Sequence, residues 1–536
     1  MRADQLFTGG TVRTGLPGAQ ASGALAVAGG RVLALGEHAL DSRGPGTDVI
    51  DLAGGALLPS FGDGHVHPLL GGLGLQGAPV RQARSVPEIL AAVAEWAAGH
   101  PGADWVVGDA FDPTLAPGGR FDARWLDSVV ADRPVVLHTM DHHTMWVNSE
   151  TLRRVGYHAR TPEPDAGQIL RRADGSPLGT LREWGAIGPV LDLLPVPGLS
   201  EQAAVLAEVS ALFAAAGITW VQDAWVDHGQ VDAWLAATDA GALRFRANLA
   251  FRAEPTTWKD QLGEFTADRD RVTGEARGWL TARTVKFFAD GVVEAGTAAL
   301  LQPYDDCPHS HGIANWPADE LADAIAAADA LGFQAHVHAI GDAGVRLALD
   351  AIAETARRNG PADRRPTVAH VQLIDPADLP RFAALGVIAN LEPLWAQPDP
   401  LMTELTLPRV GAARGARQYQ IRSLLRSGAR VSFGSDWPVT AYQPLAGAAT
   451  AVTRQTPAGS PDSGWLPAER VTAAEALAAY SAGVAYQAFE EHQWGLLRPG
   501  MRADLVHLAA DPAAVPAHEL RDLPVLGTWL AGTRTH

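Results

Sequence analysis

Eight apolar, β-prone runs alternating with amphipathic helical stretches predict an α/β chain built on a (β/α)8 TIM barrel. Two further observations shape that expectation. Both ends of the chain are short β-prone runs broken by Gly turns, and one inter-strand connection is too long for a single crossover. With 536 residues, 47% of them apolar and 19% charged, the chain can fill a core of that size.

Along the chain, residues 1–57 read as the strands LFTGGTV, ALAVAGGRVLALG and TDVIDLAGGALLP, with Gly-Gly pairs at the hairpin positions. The barrel runs follow at 56–67, 217–224, 244–251, 281–291, 332–342, 365–374, 386–393 and 428–438. Between them, Val205, Val209, Leu212 and Phe213 form an apolar stripe at helical spacing within 201–216. Val345, Leu349 and Ile352 do the same within 343–357. The connection of about 150 residues between His67 and Gly217 must hold an inserted subdomain, about 75–200, containing VVLHTMDHHTMWVNS. After residue 488 the chain returns to short strands, QWGLLRPGMRADLVHLA and VLGTWLAGTR. Residues 1–57 and 488–536 are therefore expected to form one β domain, interrupted by a barrel over 58–487.

The balance of 42 basic against 60 acidic side chains, net −18, makes nucleic acid or an anionic membrane a poor partner. No apolar run of 18 residues is present, and MRADQLFTGG is not a secretory leader, so a cytoplasmic enzyme acting on a small molecule is expected. A single cysteine, Cys307, excludes an internal disulfide and a Cys-rich metal site. Only Lys259 and Lys286 are lysines, the remaining basic residues being Arg. Lys286 lies inside the apolar run TVKFF, and a buried Lys, unlike Arg, can lose its proton. It is a candidate for amine chemistry.

Catalytic groups in such barrels sit at the C-terminal ends of the strands. Strand one ends in His65-Val66-His67, whose imidazoles share a face by strand alternation. Strand four carries Lys286, strand five His336 and His338, strand six His370 and strand eight Asp436. Imidazole and carboxylate donors of this kind suit zinc and its neighbours.

The segments LPSFGDGHVHP, VKFFADG, HVHAIGDAGV, AHVQL, GSDWPV and RPGMRADLVHL span residues 57–510. By them the chain resembles the amidohydrolase superfamily and, within it, amidohydrolase family 3. The resemblance implies a barrel beside a composite β-sandwich, with an insertion after the first strand. It implies one or two divalent ions, zinc or a neighbour. His65 and His67 would bind the more buried ion and His338 and His370 the second, with a carboxylated Lys286 as bridge. Only a neutral amine reacts with CO2, and burial favours that form. Asp436 would sit at the first ion and shuttle protons during amide hydrolysis by metal-activated water. His336 is the alternative ligand on strand five.

The stretch VVEAGTAALLQPYDD, with Glu294 and Thr297, resembles the branch containing N-substituted formamide deformylases, which implies an N-formyl or N-acyl amine with an apolar substituent. His143 and Asn148 match the family's "H…NS" stretch and would reach the substrate; Glu294 and His336 are further substrate-binding candidates, and Asp290 a supporting one. A homodimer is the family-level expectation. The same ligand set would serve a cyclic amide or an ester. A different chemistry, a metal-independent Schiff-base lyase using Lys286, leaves the histidines and Asp436 unexplained.

Overall fold

A computed structural model describes residues 1–164 and 166–536. The barrel strands are β1 Phe61–Val66, β2 Ile218–Val226, β3 Arg246–Arg252, β4 Leu280–Phe288, β5 Gln334–Ala339, β6 Thr367–His370, β7 Ile388–Leu391 and β8 Arg430–Phe433. They form one eight-stranded parallel sheet in sequence order, consistent with a TIM barrel. Helices such as Trp258–Glu275, Ala318–Ala330 and Asp342–Asn359 connect the strands. Branched and aromatic residues of the strand exteriors, Val221, Leu249, Val285 and Val337 among them, pack against the helices in one buried core.

The seam between β8 and β1 closes beyond the strands. Asp436 N–H donates to the His65 carbonyl at 2.8 Å, and His67 N–H to the Trp437 carbonyl at 2.9 Å. Gly434 permits this approach, since a Cβ there would meet the His65 nitrogen at 2.8 Å. Asp63 of β1 spans the same seam, accepting from Ser435 N at 3.0 Å and from Ser435 Oγ at 2.5 Å.

Two sequence expectations need correction. The run 56–67 is two strands rather than one: Ala56–Pro59 pairs with Leu505–Leu508, and the barrel begins only at Phe61. Leu212 is 37% exposed, whereas Val205, Val209 and Phe213 are buried. The buried face of helix Leu199–Ala215 is turned toward Leu206 and Ser210, which leaves Leu212 at its edge.

Two further sheets lie at the chain ends, the first built from the N-terminal segment and the second from both termini. One contains Arg31–Leu35, Leu25–Ala28, Gln5–Thr8 and Asp48–Asp51. The other contains Thr11–Val12, Ala56–Pro59, Leu505–Leu508, Val525–Leu530 and Thr533–Arg534. Phe7, Leu25, Leu57, Leu505 and Trp529 share one core between them, with Phe7 edge-on to Trp529 at 5.2 Å. The connection from β1 to β2 holds its own five-stranded sheet, Gln168–Arg171, Pro177–Arg182, Thr144–Val147, Val135–Thr139 and Val106–Phe111. Its hairpin at 139–144 brings Asp141, His142 and His143 to the barrel mouth. Among the described residues no helix is long and apolar enough to cross a membrane.

Candidate active site

Strand register sets the layers of the site. Lys286 on β4 pairs with His336 on β5, while Phe288 pairs with His338, two residues nearer the C-terminal mouth. Ala339 pairs with His370, which ends β6. Both His370, φ 74°, and Asp436, φ 51°, occupy left-handed backbone, which favours glycine and turns the chain sharply off the strand ends. The outcome is one small cavity lined by His65, His67, Lys286, His338, His370 and Asp436 together.

Lys286 Nζ lies 3.2 Å from His65 Nε2. Asp436 Oδ1 lies 2.9 Å from His67 Nε2 and 3.5 Å from His65 Nε2. That oxygen is buried yet takes no aligned hydrogen bond, and His67 Nδ1 and Glu392 Oε1 are likewise buried without partners. Imidazole and carboxylate donors that converge this closely, several of their atoms left without an aligned hydrogen bond, are the arrangement a shared cation requires. Two triads have donor atoms close enough to hold an ion: His65, His67 and Asp436, and His65, His370 and Glu392. The residues present thus fit a divalent metal.

The electrostatics agree. Burial, reinforced by neighbouring cationic groups, pushes His65 and His338 well below the ordinary imidazole range, and His370 to about 3. They are neutral imidazoles, the form that ligates. Burial lowers Lys286 to about 7, so a large fraction is neutral amine at neutral pH. For Asp436, burial opposes ionisation, but His67, with His370 and Lys286, outweighs it and holds the carboxyl below its usual range.

Residues 48–536 match the model of the amidohydrolase family. The chain belongs to the amidohydrolase family. It is 30% identical to the protein LONG AFTER FAR-RED 3 of Arabidopsis thaliana, over 100% of this chain and 92% of that one. It is 29% identical to an N-substituted formamide deformylase of Arthrobacter pascens, over 95% and 94% of the two chains. A metal-dependent hydrolase of Pyrococcus furiosus shares the fold at 24% identity and a TM-score of 0.71, covering 95% of this chain and 99% of that chain.

On the substrate side of this amidohydrolase, His143 faces the same cavity and lies against His338 at 5.3 Å between ring centres. Burial disfavours its charge, but Glu183, 2.8 Å from Nδ1, raises it to about 9. Glu294 lines a second, outer cavity that shares His143, His338 and Asp436 with the inner one. Asp290 supports the site from behind. Its carboxylate accepts from Ile340 N, Gly341 N and Ala299 N at 2.8 to 3.0 Å, tying the loop after β4 to the end of β5.

Two expected substrate contacts are not made. Asn148 is fully buried inside the insertion, where Oδ1 accepts from Val135 N and Thr151 N and Nδ2 donates to Val130 O and Arg133 O. Every polar group of its side chain is committed to capping and bracing backbone. His336 lines neither cavity; it lies one layer deeper, with Nε2 2.9 Å from His65 Nδ1, and it backs that imidazole. Of the two strand-five histidines, His338 is the one at the cavity.

Sequence reasoning missed Glu392, whose Oε2 lies 2.9 Å from His370 Nδ1, although it ends the predicted seventh strand as the other site residues end theirs. It also missed Gln372, two residues after His370 in AHVQL, and Glu183, Asp399 and Tyr419, which carry no local signal.

Proposed function

We propose that the chain is a metal-dependent hydrolase that cleaves the C–N bond of an acyclic N-acyl amine, with N-formyl amines as the reference substrates. The observation that carries this reading is the single cavity lined by His65, His67, Lys286, His338, His370 and Asp436. The formamide deformylase relative supports the substrate class. His65, His67 and Asp436 would hold one ion, His338 and His370 a second, and Lys286 as its carbamate would stand between them. When bound, such an ion supplies Lewis acidity to a water and to the scissile carbonyl.

The side chains do the rest. Asp436 Oδ1 faces His67, leaving Oδ2 to accept a proton from the attacking water and to return it to the departing nitrogen. His143, held cationic by Glu183, presents Nε2–H to the carbonyl oxygen as negative charge develops there. Trp184, Trp225 and Phe288 give the inner cavity an apolar wall.

The test is metal content per chain on protein purified without chelator, alongside hydrolysis of N-benzylformamide before and after stripping. The expected result is one or two equivalents of divalent metal, with activity lost on stripping and regained on re-addition. Full activity in metal-free protein would overturn the reading and bring the Schiff-base chemistry of Lys286 forward.

A further inference from the structure

The outer cavity has an apolar side, formed by Val292, Trp395, Met402 and Val439, and a set of acids that an apolar substituent does not explain: Asp141, Glu294 and Asp399. No Lys or Arg lines it. Among the described residues none of the three carboxylates is ion-paired with a Lys or Arg. Asp399 accepts one backbone bond, from Met402 N at 2.9 Å, through Oδ1. Asp141 accepts from Thr139 Oγ1 and His143 N, both through Oδ1. Each retains a free oxygen, and Glu294 takes no bond from another side chain. His143, the one cation nearby, is already engaged by Glu183.

A second observation is independent of the acids. Gln372 and Tyr419 are each only 3% exposed and line the same cavity. Among the described residues neither the Gln372 amide nor the Tyr419 hydroxyl has a hydrogen-bond partner. Their polar ends are therefore open to the cavity rather than spent on the protein, and a polar ligand group there would complete them. The aromatic side chains of Tyr419 and Trp395 line the cavity as well.

We infer that the outer cavity binds a protonated amine, so that the substrate is an N-acyl amine whose nitrogen substituent carries a second, cationic amino group, a monoacylated diamine. The inference rests on the hydrolase reading above and narrows its substrate. A neutral apolar substituent would take three carboxylates further out of water with only His143 to offset them, and an anionic one would be repelled. In the free protein, burial and mutual repulsion raise Glu294 to about 7 and burial raises Asp399 to about 6, a cost that a bound ammonium would offset. The reaction balances as R–CO–NH–R′–NH3+ plus water giving R–COO− and the doubly protonated diamine. The acyl C–N bond breaks, a C–O bond forms, and both protons of the water end on the released nitrogen.

Two matched substrates test it on the metal-loaded full chain: N-formyl-4-(aminomethyl)benzylamine, which carries the ammonium, and N-formyl-4-ethylbenzylamine, its neutral isostere. A charged hydrogen-bonded contact predicts a preference of about tenfold or more in kcat/KM for the cationic substrate. That ratio should fall toward one in Glu294→Gln and, as a second variant against misfolding, in Asp399→Asn. Calorimetric binding of the two unhydrolysed methanesulfonamides, N-[4-(aminomethyl)benzyl]methanesulfonamide against N-(4-ethylbenzyl)methanesulfonamide, reads the same preference without turnover. Equal binding of the two sulfonamides, or a preference for the neutral one, would overturn the inference. Preferential binding of the cationic sulfonamide, lost in the variants, with no hydrolysis of either formamide, would sustain the cation site and overturn the hydrolase reading instead.

Discussion

At Lys286, full burial and a 3.2 Å approach to His65 act on the same amine, lowering its proton affinity where a bridging carbamate would stand. Lys286→Ala is expected to lose bound metal and activity together, with partial recovery in millimolar short-chain carboxylic acid; metal analysis and the amide assay read both. Asp436→Asn should retain metal on the histidines and lower kcat by about 10²- to 10⁴-fold, the usual scale of a lost general acid–base group. Asn148 gives the opposite profile, because its bonds all brace the insertion. Asn148→Ala should cost about 2–3 kcal/mol in denaturant unfolding while leaving activity per folded molecule unchanged.

The strands are legible as elements because their burial is two-sided: continuous apolar runs with polar ends are what a parallel barrel strand must be. Val345, Leu349 and Ile352 were equally legible, all lying on the buried face of Asp342–Asn359. The split at Ser60 was not, since Ala56–Pro59 and Phe61–Val66 are both fully buried and nothing local marks the change of sheet. Between the terminal elements, Arg13 grips Asp511 through Nε and Nη2 at 2.5 and 2.6 Å. Burial alone would raise Asp511, but Arg13 prevails and its pKa is lowered from 3.8. A depressed carboxylate stabilises above its unfolded pKa and loses that contribution as pH falls through the folded value. The pair is partly exposed, so Asp511→Asn should cost about 1 kcal/mol or less at pH 7, and the difference should fade below about pH 4 in parallel thermal melts.

For the whole molecule, the inner cavity is assembled from β1, β2, β4, β5, β6, the segment after β8 and the insertion, so an ion held there would tie distant parts of the chain together. Binding confined to the folded state adds about 4 kcal/mol when free metal exceeds its Kd by about 1,000-fold. Chelator-stripped protein should therefore melt measurably lower than the metal-loaded form, and re-addition should restore the transition. An unchanged melting temperature would place any metal outside this cavity.

Sequence alone determined the barrel, the long insertion, the β-rich ends and five residues of the inner cavity, His65, His67, Lys286, His370 and Asp436. Each is written locally, as apolar runs of strand length or as polar residues ending them, and a parallel barrel turns that position into convergence. The tertiary structure decided what lies between elements. Register put His338 at the cavity and His336 beneath His65. Packing of the insertion brought His143 to the mouth and committed Asn148 to backbone. Closure of the outer cavity set Glu294 and Asp399 beside Gln372 and Tyr419, residues far apart in the chain. Such neighbours share no local pattern, and only the three-dimensional path of the backbone makes their charges and unpaired groups act together.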